Sequence, residues 1–138
     1  MAYWLMKSEP EAYSWDDLVR DGGTEWDGVR NNAATLNLKA MKPGDRAFLY
    51  HSVSDKAVVG IMEITRGAQP DPKAKPGERW ASVRVEPVEK LPRPVTLAEI
   101  KAEPGLADIE LIRQSRLSVA PIRDGEWKLI QEMAQASA

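Results

Sequence analysis

The sequence predicts an α+β fold: a small, mostly antiparallel β-sheet, curved or closed into a barrel, with short helices packed around it. Three observations point there. Apolar runs rich in β-branched and aromatic residues recur along the 138-residue chain. The helical segments between them are short and carry their own capping residues. Strands and helices do not alternate regularly, and neither G-x-G-x-x-G nor G-x-x-x-x-G-K-[ST] occurs, so a doubly wound nucleotide fold is not indicated.

Each element has a local reason. Within AYWLMK (2–7), Tyr3 to Met6 read as a buried strand, which stops at Lys7, Ser8 and Glu9; Pro10 has no N–H to pair. In YSWDDLVRDGG (13–23), Ser14 is an N-cap, Asp16 and Asp17 suit a first turn, and Gly-Gly stops a short helix. TEWDGVRNN (24–32) reads as a loop. Ala34, Leu38 and Met41 recur at helical spacing in a second helix over 32–41, and KPGD then turns the chain. RAFLYHS (46–52) and AVVGIMEITRGA (57–68) are strands separated by VSDK.

Prolines and a glycine make 69–78 a loop, and RWASVRVEPVEKL (79–91) alternates as a strand exposed on one face. Thr96 and Glu99 form a capping box that opens a third helix. A further short helix is expected over 106–115, a last strand over 116–122, and a C-terminal helix over 124–135 with Trp127, Ile130 and either Met133 or Ala134 facing inward. Trp4, Trp15, Trp80 and Trp127 sit in periodic elements and read as core.

Composition limits the functions open to such a chain. Its length suits one domain over 1–138, and 43% apolar residues suffice for a core. No apolar run approaches the roughly 20 residues of a membrane span, and no secretory leader is visible. The absence of cysteine excludes disulfides, thiolate zinc sites and a cysteine nucleophile, and suits a cytoplasmic protein. With His51 the sole histidine, neither a metal nor a cofactor is expected. A net charge of −2 argues against binding led by nucleic-acid phosphates: taken alone it favours a small ligand or a protein partner, and nucleic acid would need a local patch and a specific pocket. A monomer is expected.

Three polar groups stand where apolar elements end. Lys7 and Ser8 close the first strand; Trp26, Arg30 and Asn31 lie around Gly28; Tyr50, His51 and Ser52 close FLYHS. Arg30 is a planar donor, and Asn31 offers a donor and an acceptor, as the edge of a nucleobase requires. Trp26, in a polar setting, suits a stacking wall. The ordinary alternatives are strand ends meeting water, a loop with Asp27 capping and Arg30 in a surface ion pair, and a histidine satisfied by backbone. A Ser-His-Asp triad would have to use His51, and no G-x-S-x-G elbow accompanies it. Binding is therefore expected ahead of catalysis, with no catalytic residue.

WLMKSEP, WDGVRN, FLYHS, VVGIMEI, PDP and RLSV stand in an order and spacing that resemble the EVE domain, over nearly the whole chain. The resemblance implies a PUA-like barrel, related to the YTH and ASCH domains, that reads a modified base, notably a modified cytosine in DNA. Lys7, Ser8, Trp26, Arg30, Asn31, Tyr50, His51 and Ser52 would then form the pocket. If the RWASVRV strand borders the groove, Arg79 or Arg84 would add a phosphate contact. The chain departs from the pattern at Asn32, Thr35 and Gln69, where many relatives carry an aromatic residue, an arginine and a tyrosine. The rival readings are an RNA-binding accessory factor using the same pocket, a small-molecule or protein-interaction module, and a nucleoside-acting enzyme with His51 as base.

Overall fold

A strand with no polar alternation needs cover on both faces of its sheet, and the computed structural model, which describes residues 1–135, is built that way. β1 (Tyr3–Ser8) lies parallel to β3 (Arg46–His51), with Leu5 opposite Phe48 and Ser8 opposite His51. β3 pairs antiparallel with β4 (Ala57–Pro70), β4 with β5 (Ala81–Thr96), and β5 with β2 (Thr24–Trp26). β6 (Val119–Ile122) runs antiparallel on the other side of β1. The order is β2-β5-β4-β3-β1-β6. The sheet is thus six-stranded, mixed and mostly antiparallel. The expected closure into a barrel is not seen: β2 and β6 remain ends, and their three and four residues leave only short edges to protect.

Alternation along each strand assigns side chains to two apolar clusters. Trp4, Met6, Ala47 and Leu49 go to one, Leu5, Phe48 and Tyr50 to the other. α1 (Trp15–Asp21) and α2 (Asn32–Ala40) contribute Trp15, Leu18, Ala34 and Leu38 to the first. α3 (Leu97–Ala102), a 3-10 turn at Pro104–Leu106, α4 (Glu110–Arg113) and α5 (Asp124–Gln135) supply the second with Ile100, Leu106, Leu111, Trp127 and Ile130. Trp127 stacks on Phe48 at 3.9 Å and on Tyr3 at 4.3 Å between ring centroids.

The expected caps are present: Ser14 with Asp17 on α1, Thr96 with Glu99 on α3, and Gly22 at the end of α1 with φ 73°. Several boundaries differ. Thr24–Trp26, expected in a loop, is a strand because it finds the free side of β5, with Trp26 opposite Val83. The helix expected over 106–115 contracts to four residues, since the 3-10 turn takes up Leu106. At the inner face of α5, Ala134 is buried and Met133 only partly so. Trp80 precedes β5 and is half-buried, outside both clusters.

Asp45 joins β3 to the N-terminus. Its carboxylate accepts from Ala2 N at 3.1 Å, Trp4 Nε1 at 3.1 Å and Lys42 N at 3.0 Å. Burial alone would raise its pKa, but these hydrogen bonds outweigh it and hold the carboxyl below its ordinary value. The stability this adds is complete above the unfolded carboxyl's value of about 3.9 and is lost as pH falls through the lower folded value. Urea unfolding of the wild type and Asp45→Asn should therefore show a clear gap at neutral pH that narrows under strong acid.

Candidate functional site

The end of β1, strand β2 and the turn that follows it surround a cleft of about 490 Å³. β1 brings Lys7 and Ser8, the approach to α1 brings Tyr13, β2 brings Glu25 and Trp26, and the turn brings Asp27 to Arg30. Lys73 and Ser118 complete the rim from distant segments. Three cationic and two anionic side chains thus meet an aromatic wall, so a ligand here can both donate and accept hydrogen bonds.

Asp71 sets the shape of one wall. Gly28 takes φ 77°, a left-handed conformation that suits glycine, and its N–H donates to Asp71 Oδ2 at 2.8 Å. Arg30 Nη1 donates to the same oxygen at 2.9 Å, and Lys73 N to Oδ1 at 2.7 Å. The Asp71 side chain is fully buried. Burial pushes its pKa up, but Arg30 and the Lys73 and Gly28 amides overcome that and lower it. The Arg30 guanidinium also lies 5.6 Å from the Trp80 ring centroid, within cation–π range.

The other charges are similarly held. Arg66 grips Glu25 through two N–H groups, the Ser82 hydroxyl donates to the same carboxylate, and the Arg66 contact chiefly lowers the Glu25 pKa. Lys7 Nζ donates to Ser115 O at 2.8 Å, and burial lowers its pKa. The Ser8 hydroxyl donates to Tyr13 O at 2.8 Å, which leaves its oxygen as an acceptor.

Of the residues singled out from the sequence, Lys7, Ser8, Trp26 and Arg30 line the cleft, but Trp26, expected in a polar setting, is only 9% exposed because its ring also packs in the first apolar cluster. Asn31 lines a neighbouring hollow with Gln114 to Leu117, and its Oδ1 caps α2 by accepting from Ala34 N at 2.9 Å. Tyr50 and His51 are buried outside the lining. His51 Nε2 accepts from Trp15 N at 3.1 Å, so the ring proton sits on Nδ1, which donates to Asp55 at 2.8 Å. Ser52 N donates to Ser8 O at 3.0 Å and ties the end of β3 to that of β1. Arg79 lies in a third hollow beside Trp80, and Arg84 pairs with Glu86 at 3.5 Å. Sequence reasoning missed Tyr13, Glu25, Asp27 and Lys73. None carries a local signal, because each is an ordinary polar or aromatic residue until the chain folds.

A mixed sheet covered on both faces, with an aromatic cleft of both charges at the end of its first strand, defines a small binding module. The chain belongs to the EVE domain family, whose model matches residues 2–133. It resembles thymocyte nuclear protein 1 of Rattus norvegicus, with 35% identity over 167 residues, covering 97% of this chain and 74% of that protein. Among solved structures, Rpa0253 from Rhodopseudomonas palustris is 50% identical with a TM-score of 0.92, over 98% of this chain and 94% of that one. Human THYN1, solved in complex with DNA containing 5-methylcytosine, is 31% identical with a TM-score of 0.93 over 100% of both chains. Among the described residues no helix is long and apolar enough to cross a membrane, and no group of acidic, histidine or cysteine side chains is arranged to hold a metal ion.

Proposed function

We propose that this chain is a non-catalytic reader of modified cytosine in DNA, acting as one EVE domain over 1–138, and that the cleft receives the base. The observation that carries the reading is the meeting of Lys7, Ser8, Trp26 and Arg30 in one recess of nucleoside size. Likeness along the whole solved chain of the human protein bound to 5-methylcytosine DNA supports the choice of ligand. Trp26 stacks on the base, Ser8 meets its edge, and Lys7 and Arg30 meet phosphate or a polar substituent. Asn31 adds its amide from the adjoining hollow, with Tyr50, His51 and Ser52 as the supporting layer and Arg84 beside the groove. We read the curved sheet as PUA-like, and the protein as a cytoplasmic monomer. His51 is buried, lies outside the cleft lining and has both ring nitrogens bonded, which is a reason to assign it support in preference to proton transfer.

Extruding a base costs a few kcal/mol, and stacking returns about 1–3 kcal/mol, so hydrogen bonds must supply the remainder. The test is affinity for matched modified and unmodified DNA and RNA strands at several salt concentrations. Trp26→Phe should shrink the preference for the modified base and leave the salt slope nearly unchanged. Arg30→Ala should weaken both strands and reduce the slope by about 0.9 on duplex DNA. Asn31→Ser keeps a capping oxygen, so a loss of discrimination in that variant reports on the base and not on α2. A steep wild-type slope with no discrimination to lose would end the base-reading proposal, and preference for the RNA strand would move it to the other polymer.

A further inference from the structure

The cleft has a neighbour across one cation–ring contact. Arg30 lines the cleft, and its guanidinium faces the Trp80 ring at 5.6 Å. Trp80 in turn lines a separate hollow of about 450 Å³ with Lys39, Gln69, Pro70, Glu78 and Arg79. The half-buried Trp80 indole thus shares this hollow with two cations, Lys39 and Arg79. The acids here are already engaged. Asp71 is buried under Arg30, and Glu78 accepts from Trp80 Nε1 at 3.1 Å and from Lys75 N at 2.6 Å. Lys39, Lys75 and Arg79 have no ion-pair partner among the described residues. The Glu78 bond and the Arg30 contact both restrain the indole.

We propose that this hollow is a second nucleotide subsite. The nucleotide adjoining the base in the cleft stacks on Trp80, and its phosphate meets Arg79 and Lys39. Arg30 stands between the two recesses, so a strand passing from one to the other crosses a positive group. The inference rests on the base-reading assignment of the cleft. It goes beyond it by giving the flanking nucleotide its own aromatic platform and phosphate contacts. Base–aromatic stacking tolerates any sequence, since every base has a π-face. This subsite should therefore add affinity without adding sequence preference.

The experiment compares 5-methyldeoxycytidine monophosphate with a single-stranded trimer that carries 5-methylcytosine between two thymidines. The wild type should bind the trimer at least tenfold more tightly than the monophosphate, the order of one stacked base. Trp80→Ala should cut the trimer-to-monophosphate affinity ratio about tenfold, and Trp80→Tyr should restore most of it. Arg79→Ala, at an exposed position, should lower the trimer's salt slope by about 0.7. Replacing the flanking thymidines with adenosines should leave the effect of Trp80→Ala in place. A trimer bound no better than the monophosphate, or a ratio that survives Trp80→Ala, overturns the subsite while the cleft assignment stands. If trimers with and without the methyl group bind alike, yet Trp80→Ala still weakens both, the cleft assignment falls and the subsite stands. If neither probe binds, both fall.

Discussion

Replacing Asp71 with asparagine is expected to lower the unfolding free energy by about 3 kcal/mol and to remove most binding in the cleft. The carboxylate accepts three hydrogen bonds from three separate groups: Gly28 N, Arg30 and Lys73 N. An asparagine amide turns one acceptor into a donor, so at least one of these N–H groups faces another donor. The neutral side chain also leaves Arg30 without its counter-charge. Arg30 is partly exposed and can recover some water, which keeps the expected loss at the low end of the range for a broken buried pair. The turn carrying Gly28 would lose its tie to the 71–73 segment, and the Trp26–Arg30 wall would lose its fixed position. Urea unfolding measures the first effect, and titration with modified and unmodified strands measures the second. A loss below about 1 kcal/mol with binding intact would mean that water can replace the carboxylate at this junction.

Substituting Gly60 by alanine should cost up to about 3 kcal/mol, the usual range for overpacking a filled core. A Cβ at Gly60 would meet three carbons of the Trp15 ring at 2.4, 2.5 and 2.8 Å. That ring has little room to yield, because Trp15 is buried and its backbone N–H is bonded to His51 Nε2. Relief would push the start of α1 outward, along with Tyr13 on the cleft wall. Gly60→Ala should therefore lower stability and weaken ligand binding together. Pairing it with Trp15→Leu supplies the space, so the double variant should lose less than the two single losses combined. Additive losses would show that β4 and α1 adjust independently.

These two positions differ in how much of their role the sequence disclosed. Gly60 lies within VVGIMEI, a strand whose glycine marks a close approach, but nothing local says that the approaching group is Trp15, forty-five residues earlier. Asp71 stands in PDP, between prolines that announce a loop. Its burial beneath Arg30 is invisible until the loop folds back over the β2 turn. His51 is a third case. Its place at a strand end was readable, but its bond to the α1 amide depends on how α1 packs across the sheet.

By itself the sequence determined the elements whose causes are local: the capped starts of α1 and α3, the amphipathic α5, the apolar cores of β1, β3 and β4, and the family to which six spaced motifs point. Capping and side-chain periodicity act within a few residues, so they can be read directly. Only the tertiary structure decided that Thr24–Trp26 is a strand, that β2 and β6 stay unjoined, and that Trp80 leaves the core for Arg30. It also decided which polar residues share the cleft. Lys7, Trp26 and Lys73 meet there from three segments, and Asn31, next to Arg30 in sequence, turns to cap a helix. Such placement depends on strand pairing across long separations, where the energy lies in contacts that no local window contains.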